Sequence, residues 1–271
     1  STQSTGIQQI ISESGITQEQ LNNASDGQII RKVLILLKNR YPDSAFMDKK
    51  SFRFVVAPNL ERVSYLMFCR CSNLELIHAP NVDFIANGSA ATVDGAFSDT
   101  KLRQIYFPLL ESVAVCTFYS TEIQKIAADD LAACRYVNSY GFQCSKITEL
   151  EIPQLIQVGS GAFQGNPLHS VNLPSLKNAG DYAFCDCGAT KINLPRLEFG
   201  GDYLFAHCSQ LSELELGEPE VTLGQNSISG CGALQTIKCE AGAGVFRCDG
   251  TNCGSTNRCP QCKGTLDYCF K

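Results

Sequence analysis

Apolar residues recur in a fixed frame around a proline through most of the chain. In Leu168-His169-Ser170-Val171-Asn172-Leu173-Pro174-Ser175-Leu176 they stand six, three and one before Pro174 and two after it. Phe184 follows ten residues past that proline and Cys187 three later. The same block returns as Ile147, Leu150, Ile152, Pro153, Leu155, Phe163, and as Ile192, Leu194, Pro195, Leu197, Phe205, Cys208. With the proline as an anchor, matching positions are Pro58, Pro80, Pro108, Asp129, Pro153, Pro174, Pro195, Gly217 and Glu240, spaced 22, 28, 21, 24, 21, 21, 22 and 23 residues apart. A unit this short cannot bury its own apolar face, so stacked neighbours must share one core. The alternation before each anchor predicts a short strand. The proline ends that strand because it has no N–H for the ladder. Strands stacked about 4.8 Å apart give a sheet on the order of 40 Å long. The phenylalanine is expected to close the core from the opposite wall. The 28-residue interval predicts an insertion within Asp83 to Asp94.

These positions resemble the BspA-like, or Treponema-type, leucine-rich repeat family, whose L-x-x-I-x-L-P, L-x-x-I and A-F-x-x-C pattern matches at Gly161-Ala162-Phe163 and at Tyr182-Ala183-Phe184-Cys185-Asp186-Cys187. The resemblance covers roughly residues 50 to 240. It departs at Asp129, where the phenylalanine comes late as Phe142, and at Gly217, where Ile228 replaces it. It implies a leucine-rich-repeat solenoid of short stacked parallel strands, α/β or mainly β. It also implies a place on a cell surface or in secretion, and adhesion to proteins or cells.

The two ends do not repeat. Thr17-Gln18-Glu19-Gln20 reads as a capping box opening a short helix. Asp26 is positioned to cap a second helix through Ile29, Ile30, Val33, Leu34 and Leu37, stopped at Tyr41-Pro42. Residues 1–45 are therefore expected to form a helical N-terminal cap, 46–240 the solenoid of about eight to nine repeats, and 241–271 a cysteine-rich tail. Within Cys239, Cys248, Cys253, Cys259, Cys262 and Cys269 two readings stay open. One is three disulfides stapling a segment too short for a core. The other is a four-thiolate zinc site at Cys248, Cys253, Cys259 and Cys262. The tail's composition is similar to Cys-rich surface proteins of protists such as Giardia.

Composition narrows the function classes. A net charge of −5 and a pI near 5.3 argue against nucleic acid, which needs a basic patch. No apolar run approaches the roughly 20 residues of a membrane-spanning helix. No catalytic motif is present, and the acidic pairs Glu149/Glu151 and Glu213/Glu215 read as a solvated patch or a weak calcium contact. No enzyme activity and no cofactor are expected. The remaining cysteines, Cys69 to Cys231, include a column three residues after the phenylalanine (Cys71, Cys187, Cys208, and Cys231 after Ile228). They read as buried thiols packed as small apolar groups, able to pair if Cα atoms come within about 7 Å. Asn23 and Asn87 head N-glycosylation triplets. Residues four and two before each anchor point away from the core. Phe54, Leu76, His78 and Tyr106 are apolar or aromatic there, and are expected to form part of a ligand face unless the cap or the insertion covers them. The expected partner is a protein or glycan on another cell or matrix. Disulfide-linked or self-associated assembly is the alternative.

Overall fold

The computed structural model describes residues 2–217, 221–239 and 246–247. A parallel solenoid with three walls fills most of it. The front wall carries the strand before each anchor: Val33–Ile35, Phe54–Val56, Leu76–His78, Lys125–Ile126, Glu149–Leu150, Ser170–Asn172, Lys191–Leu194, Glu213–Leu216 and Thr236–Cys239. Register follows the repeat: Lys191 faces Glu213, Ile192 Leu214 and Leu194 Leu216. The second wall is a ladder of two-residue strands, of which Ser112–Val113, Tyr136–Val137, Gln157–Val158, Asn178–Ala179, Phe199–Gly200 and Thr222–Leu223 form one sheet.

The third wall is the phenylalanine turn. Phe46, Phe68, Phe97, Phe118, Phe142, Phe163, Phe184 and Phe205 stack face to face, with ring centroids 5.0–6.2 Å apart. Offset stacks at this separation add attraction beyond the area they bury. Phe142, late in the sequence, still sits in register. The three extra residues are taken up between Asp129 and the strand Tyr136–Val137. Except at Phe97, where only Asp99 is left-handed, each ring is carried on a tight turn with left-handed residues two before and two after it. They include Leu66 and Arg70, Tyr140 and Cys144, Tyr182 and Asp186, Tyr203 and His207. Only around Phe163 are both glycine, Gly161 and Gly165. A non-glycine residue in this region costs on the order of 1 kcal/mol, which the stacking must offset.

The position three past the ring is a buried column of hydrogen-bond donors. Ser145 Oγ donates to the Phe118 carbonyl (2.8 Å), Asn166 Nδ2 to that of Phe142 (2.8 Å), Cys71 Sγ to Phe46 (3.0 Å), Cys208 Sγ to Phe184 (3.1 Å) and Cys231 Sγ to Phe205 (3.1 Å). Thr100 and Thr121 occupy the same place. The Cys71, Cys208 and Cys231 thiols therefore do more than fill space: each donates to a carbonyl of the preceding coil and so links the two coils. Burial pushes the Cys71 thiol up to about 12, so it stays a protonated donor.

The N-terminal end departs from the sequence reading. The Thr17 capping box is present, with Gln20 N–H on Thr17 Oγ1 (3.1 Å) and Thr17 N–H on Gln20 Oε1 (3.0 Å), and it opens the helix Gln18–Asn23. A longer helix, Thr2–Ser14, precedes it. The second expected helix is instead a hairpin of Ile29–Ile30 and Val33–Ile35, turned by Arg31 and Lys32, both at positive φ. Two consecutive positive φ values match the right-handed strand twist. Asp26 caps no helix; it accepts from Leu37 N–H (2.9 Å) and the Tyr41 hydroxyl and pairs with Lys38 at 3.2 Å. Val33–Ile35 also pairs in parallel with Phe54–Val56, and Phe46 stacks on Phe68. The solenoid thus begins at Val33, inside the span 1–45 read as a cap.

The insertion leaves Phe84–Ile85 in its ladder and bulges after it, closed by a bridge between Ser89 and Asp94. Cys239 ends the last front strand, and its side chain lies outside the described residues. So do Cys248, Cys253, Cys259, Cys262 and Cys269, and with them the disulfide and zinc readings of the tail.

Candidate binding cleft

The outward row of the front wall has two fates. At the N-terminal end the helix Thr2–Ser14 lies across it. Ile10 and Ile16 join Val33, Ile35, Phe54, Val56 and Leu76 in a small second core. Phe54 is 0% and Leu76 5% exposed, so neither is available to a partner. His78 is half-buried beside Gly6 of that helix, where a Cβ would stand 3.6 Å from its Nδ1. The expected ligand face is therefore corrected for these three residues. The alternation tells which way a side chain leaves its strand; it does not tell that another segment lies on top. The clamp is polar at its rim: Arg53 holds Glu75 with two 2.9 Å hydrogen bonds, and Arg103 bridges Glu13 of the helix to Glu75. Arg103 holds the Glu13 carboxyl, and Arg53 that of Glu75, below the usual carboxylate range.

Burial under the helix lowers the pKa of His78 from 6.5. The folded state thus binds this proton less readily than the unfolded chain. Stability from the neutral ring is complete above pH 6.5 and is lost as pH falls through the folded pKa. The Glu13 and Glu75 carboxylates act in the same sense, but only below their ordinary value of 4.5. We predict that melting temperature falls between pH 7 and pH 5, and that His78→Gln flattens this slope. An equal slope in the variant would assign the effect elsewhere.

Beyond the helix the front wall opens. Residues 101–107 keep the repeat frame, with Leu102, Ile105 and Phe107 buried, yet form no ladder with Leu76–His78 or Lys125–Ile126. Phe107 N–H turns to the carbonyl of Asp130 (2.8 Å). The interruption leaves a cleft of about 370 Å³, lined by Gly6 and Gln9 of the helix, Leu76, Gln104, Tyr106, Lys125 and Asp130. Gln104 is exposed and Tyr106 half-buried. Of the four expected ligand-face residues, the cleft brings Leu76 and Tyr106 together. Asp130 accepts from Ala127 N–H (2.7 Å), and burial raises its carboxyl pKa. The cleft is thus lined by a phenol, two carboxamides, the Asp130 carboxyl and the Lys125 ammonium, which Glu149 holds at 2.7 Å, around an apolar floor. That mixture suits orientation of a polar chain with one apolar side chain. A smaller hollow of about 200 Å³ lies further along, lined by Ala128, Glu151, Ile152, Pro153, Asn172 and Pro174.

The carboxylates read as an acidic patch are largely neutralised across coils: Glu149 pairs with Lys125 at 2.7 Å, and Lys191 with Glu213 at 2.5 Å and Glu215 at 3.7 Å. Among the described residues no group of three or more His, Cys, Asp or Glu is placed to hold a metal ion, and no helix is long and apolar enough to cross a membrane. Asn23 and Asn87 are exposed, and the Asn87 carbonyl accepts from Val115 N–H (3.1 Å). Sequence reasoning missed the exposed aromatics of the second wall, Phe84 (under Arg62, 3.9 Å), Tyr136 and Phe199, and, on the phenylalanine turn, the Tyr182–Tyr203 stack at 4.9 Å. For the second-wall residues the signal was the outward position in the second strand, four past the anchor for Phe84 and Phe199.

The model of the BspA-type leucine-rich repeat region matches residues 39–128, 91–187 and 135–247, with six copies. No curated protein matches the chain. Among solved structures, a leucine-rich repeat protein from Bacteroides ovatus is similar at 15% identity and TM-score 0.36, over 75% of this chain and 64% of that one. A leucine rich cell surface protein from Faecalibacterium prausnitzii is similar at 15% identity and TM-score 0.31, over 76% of this chain and 83% of that one. The chain spans less than two thirds of the Bacteroides protein's length.

Proposed function

The chain belongs to the BspA-type leucine-rich repeat family, and from that premise we propose that it is a surface-displayed or secreted protein-binding module that works in adhesion. The observation that carries the reading is the cleft at residues 101–107, where the front ladder is interrupted beside the docked helix. A continuous parallel ladder satisfies its own backbone and presents a flat face. Here the frame is kept but the ladder is not, and Gln104 and Tyr106 stand at the mouth. The partner is a protein segment that places an apolar side chain against Tyr106 and its backbone amides against Gln9 and Gln104. Tyrosine beside an apolar floor is the composition of a binding hot spot.

The test uses the full chain against immobilised extracellular-matrix and cell-surface proteins. Gln104→Arg with Tyr106→Ser is expected to weaken the strongest interaction at least tenfold, about 1.4 kcal/mol or more. The melting temperature is expected to change little, since neither side chain belongs to the main core. Undiminished binding by the folded variant contradicts the assignment. Phe199→Ser on the second wall serves as the control that should bind normally.

A further inference from the structure

Among the cysteines of the donor column, Cys187 is irregular. Cys71, Cys208 and Cys231 each donate to the carbonyl of the ring one coil earlier. For Cys187 that carbonyl belongs to Phe163, and Asn166 Nδ2 already occupies it at 2.9 Å. The Cys187 sulfur instead meets Cys208 Sγ at 3.3 Å. Backbone bonds join the two coils at this corner, Asp186 N–H to the Ala206 carbonyl (2.9 Å) and Phe184 N–H to that of Leu204 (3.0 Å). Coils joined in this way stand about 4.8 Å apart, inside the Cα range that a disulfide spans. Sulfurs 3.3 Å apart need to close by little more than 1 Å to reach bonding distance.

We propose that Cys187 and Cys208 form an intrachain disulfide that ties two consecutive coils together in the protein matured under oxidising conditions. The oxidant is a small-molecule or oxidoreductase disulfide. One cysteine, as thiolate, attacks a sulfur of that disulfide and expels one thiolate, leaving a mixed disulfide. The other cysteine's thiolate then attacks the protein sulfur of the mixed bond and expels the second thiolate. The two cysteine protons end on the two expelled groups. Either cysteine can attack first, because the thiolate is the nucleophile. Both sulfurs are nearly without solvent contact, Cys187 at 3% and Cys208 at 0% exposure. Exchange therefore happens before the coils close in folding, or during local opening. Only the supply of oxidant in vivo rests on the extracellular placement proposed above; the geometry does not.

The neighbours supply the controls. Cys231 donates to the Phe205 carbonyl (3.1 Å), the regular partner for its place in the column. Cys185 Sγ lies 3.5 Å from Asp186 Oδ2, away from the column. The full chain, unfolded and reduced, is refolded in a glutathione redox buffer, alkylated under denaturing conditions without reduction, digested and mapped by mass spectrometry. A Cys187–Cys208 linked peptide is expected, lost in Cys187→Ser and in Cys208→Ser and kept in Cys185→Ser and in Cys231→Ser. Serine should fold in this column, since Ser145 already occupies it. In the oxidised wild type, a loop of this length should raise the melting temperature on the order of 5 °C over either column variant, and reducing agent should erase the difference. Alkylation of both cysteines in folded wild type, or a link that survives in Cys208→Ser, overturns the proposal. Because oxidant is supplied in the buffer, a protein that binds no extracellular partner can still pass this test, and the two readings fail separately.

Discussion

Phe163→Ala is expected to lower the unfolding free energy by about 3–5 kcal/mol, the range for emptying a large buried aromatic site. Phe163 is 0% exposed and stacks 5.4 Å from Phe142 and 5.7 Å from Phe184, mid-way along the ring spine. Its turn is carried by Gly161 and Gly165, so little left-handed strain is released to offset the loss. In a solenoid each coil is held by its neighbours, and a gap at the centre weakens two interfaces at once. The terminal Phe46, half-buried and with one coil beside it in the stack, should cost less when truncated. Phe199→Ala, 48% exposed on the second wall, should stay within about 0.5 kcal/mol of wild type. Urea unfolding of the three variants checks the order. A loss below about 1 kcal/mol at Phe163 would contradict the spine as the main organiser of the third wall.

The second large effect concerns the N-terminal helix. Ile10 is 0% exposed and is the helix's anchor in the small core over Phe54, Val56 and Leu76. An ionised carboxylate there has no partner, so Ile10→Asp is expected to release the helix rather than bury the charge, at a cost of about 3 kcal/mol or more. Release uncovers the outward apolar row of the first coils. The expected signature is increased dye binding to apolar surface, concentration-dependent scattering and a lower melting temperature. Gln8→Asp, on the exposed side of the same helix, should do none of these. A fully soluble Ile10→Asp variant with wild-type melting would mean that the helix does not seal the row.

These effects divide along what the residue pattern could carry. The repeat frame was legible because core positions of every coil are apolar and the spacing is nearly constant. The first coil was hidden because Leu37 stands where the later anchors are proline. Ile29-Ile30 and Val33-Leu34, four apart, imitate a helical stripe, and the Arg31-Lys32 turn lacks the Asn-Gly signal of a tight hairpin. The donor column escaped notice because Cys, Thr, Ser and Asn differ in polarity and share only the ability to donate one hydrogen bond. The outward direction of Phe54 and Leu76 was read correctly, but their cover comes from residues far away in sequence. Tyr106 and Gln104 were legible as outward. The interruption of the ladder around them was not, since Leu102, Ile105 and Phe107 fit the frame like any other coil.

Site-specific cross-linking tests the cleft most directly. A photoreactive p-benzoylphenylalanine is placed at Gln104 in one full-length chain and at Phe199 in another, and each is irradiated on intact cell surfaces or extracellular matrix. The account predicts a discrete protein adduct from position 104, absent from position 199 and suppressed by excess unlabelled wild type but not by the Gln104→Arg, Tyr106→Ser variant. An adduct from position 199 with none from position 104 would contradict it.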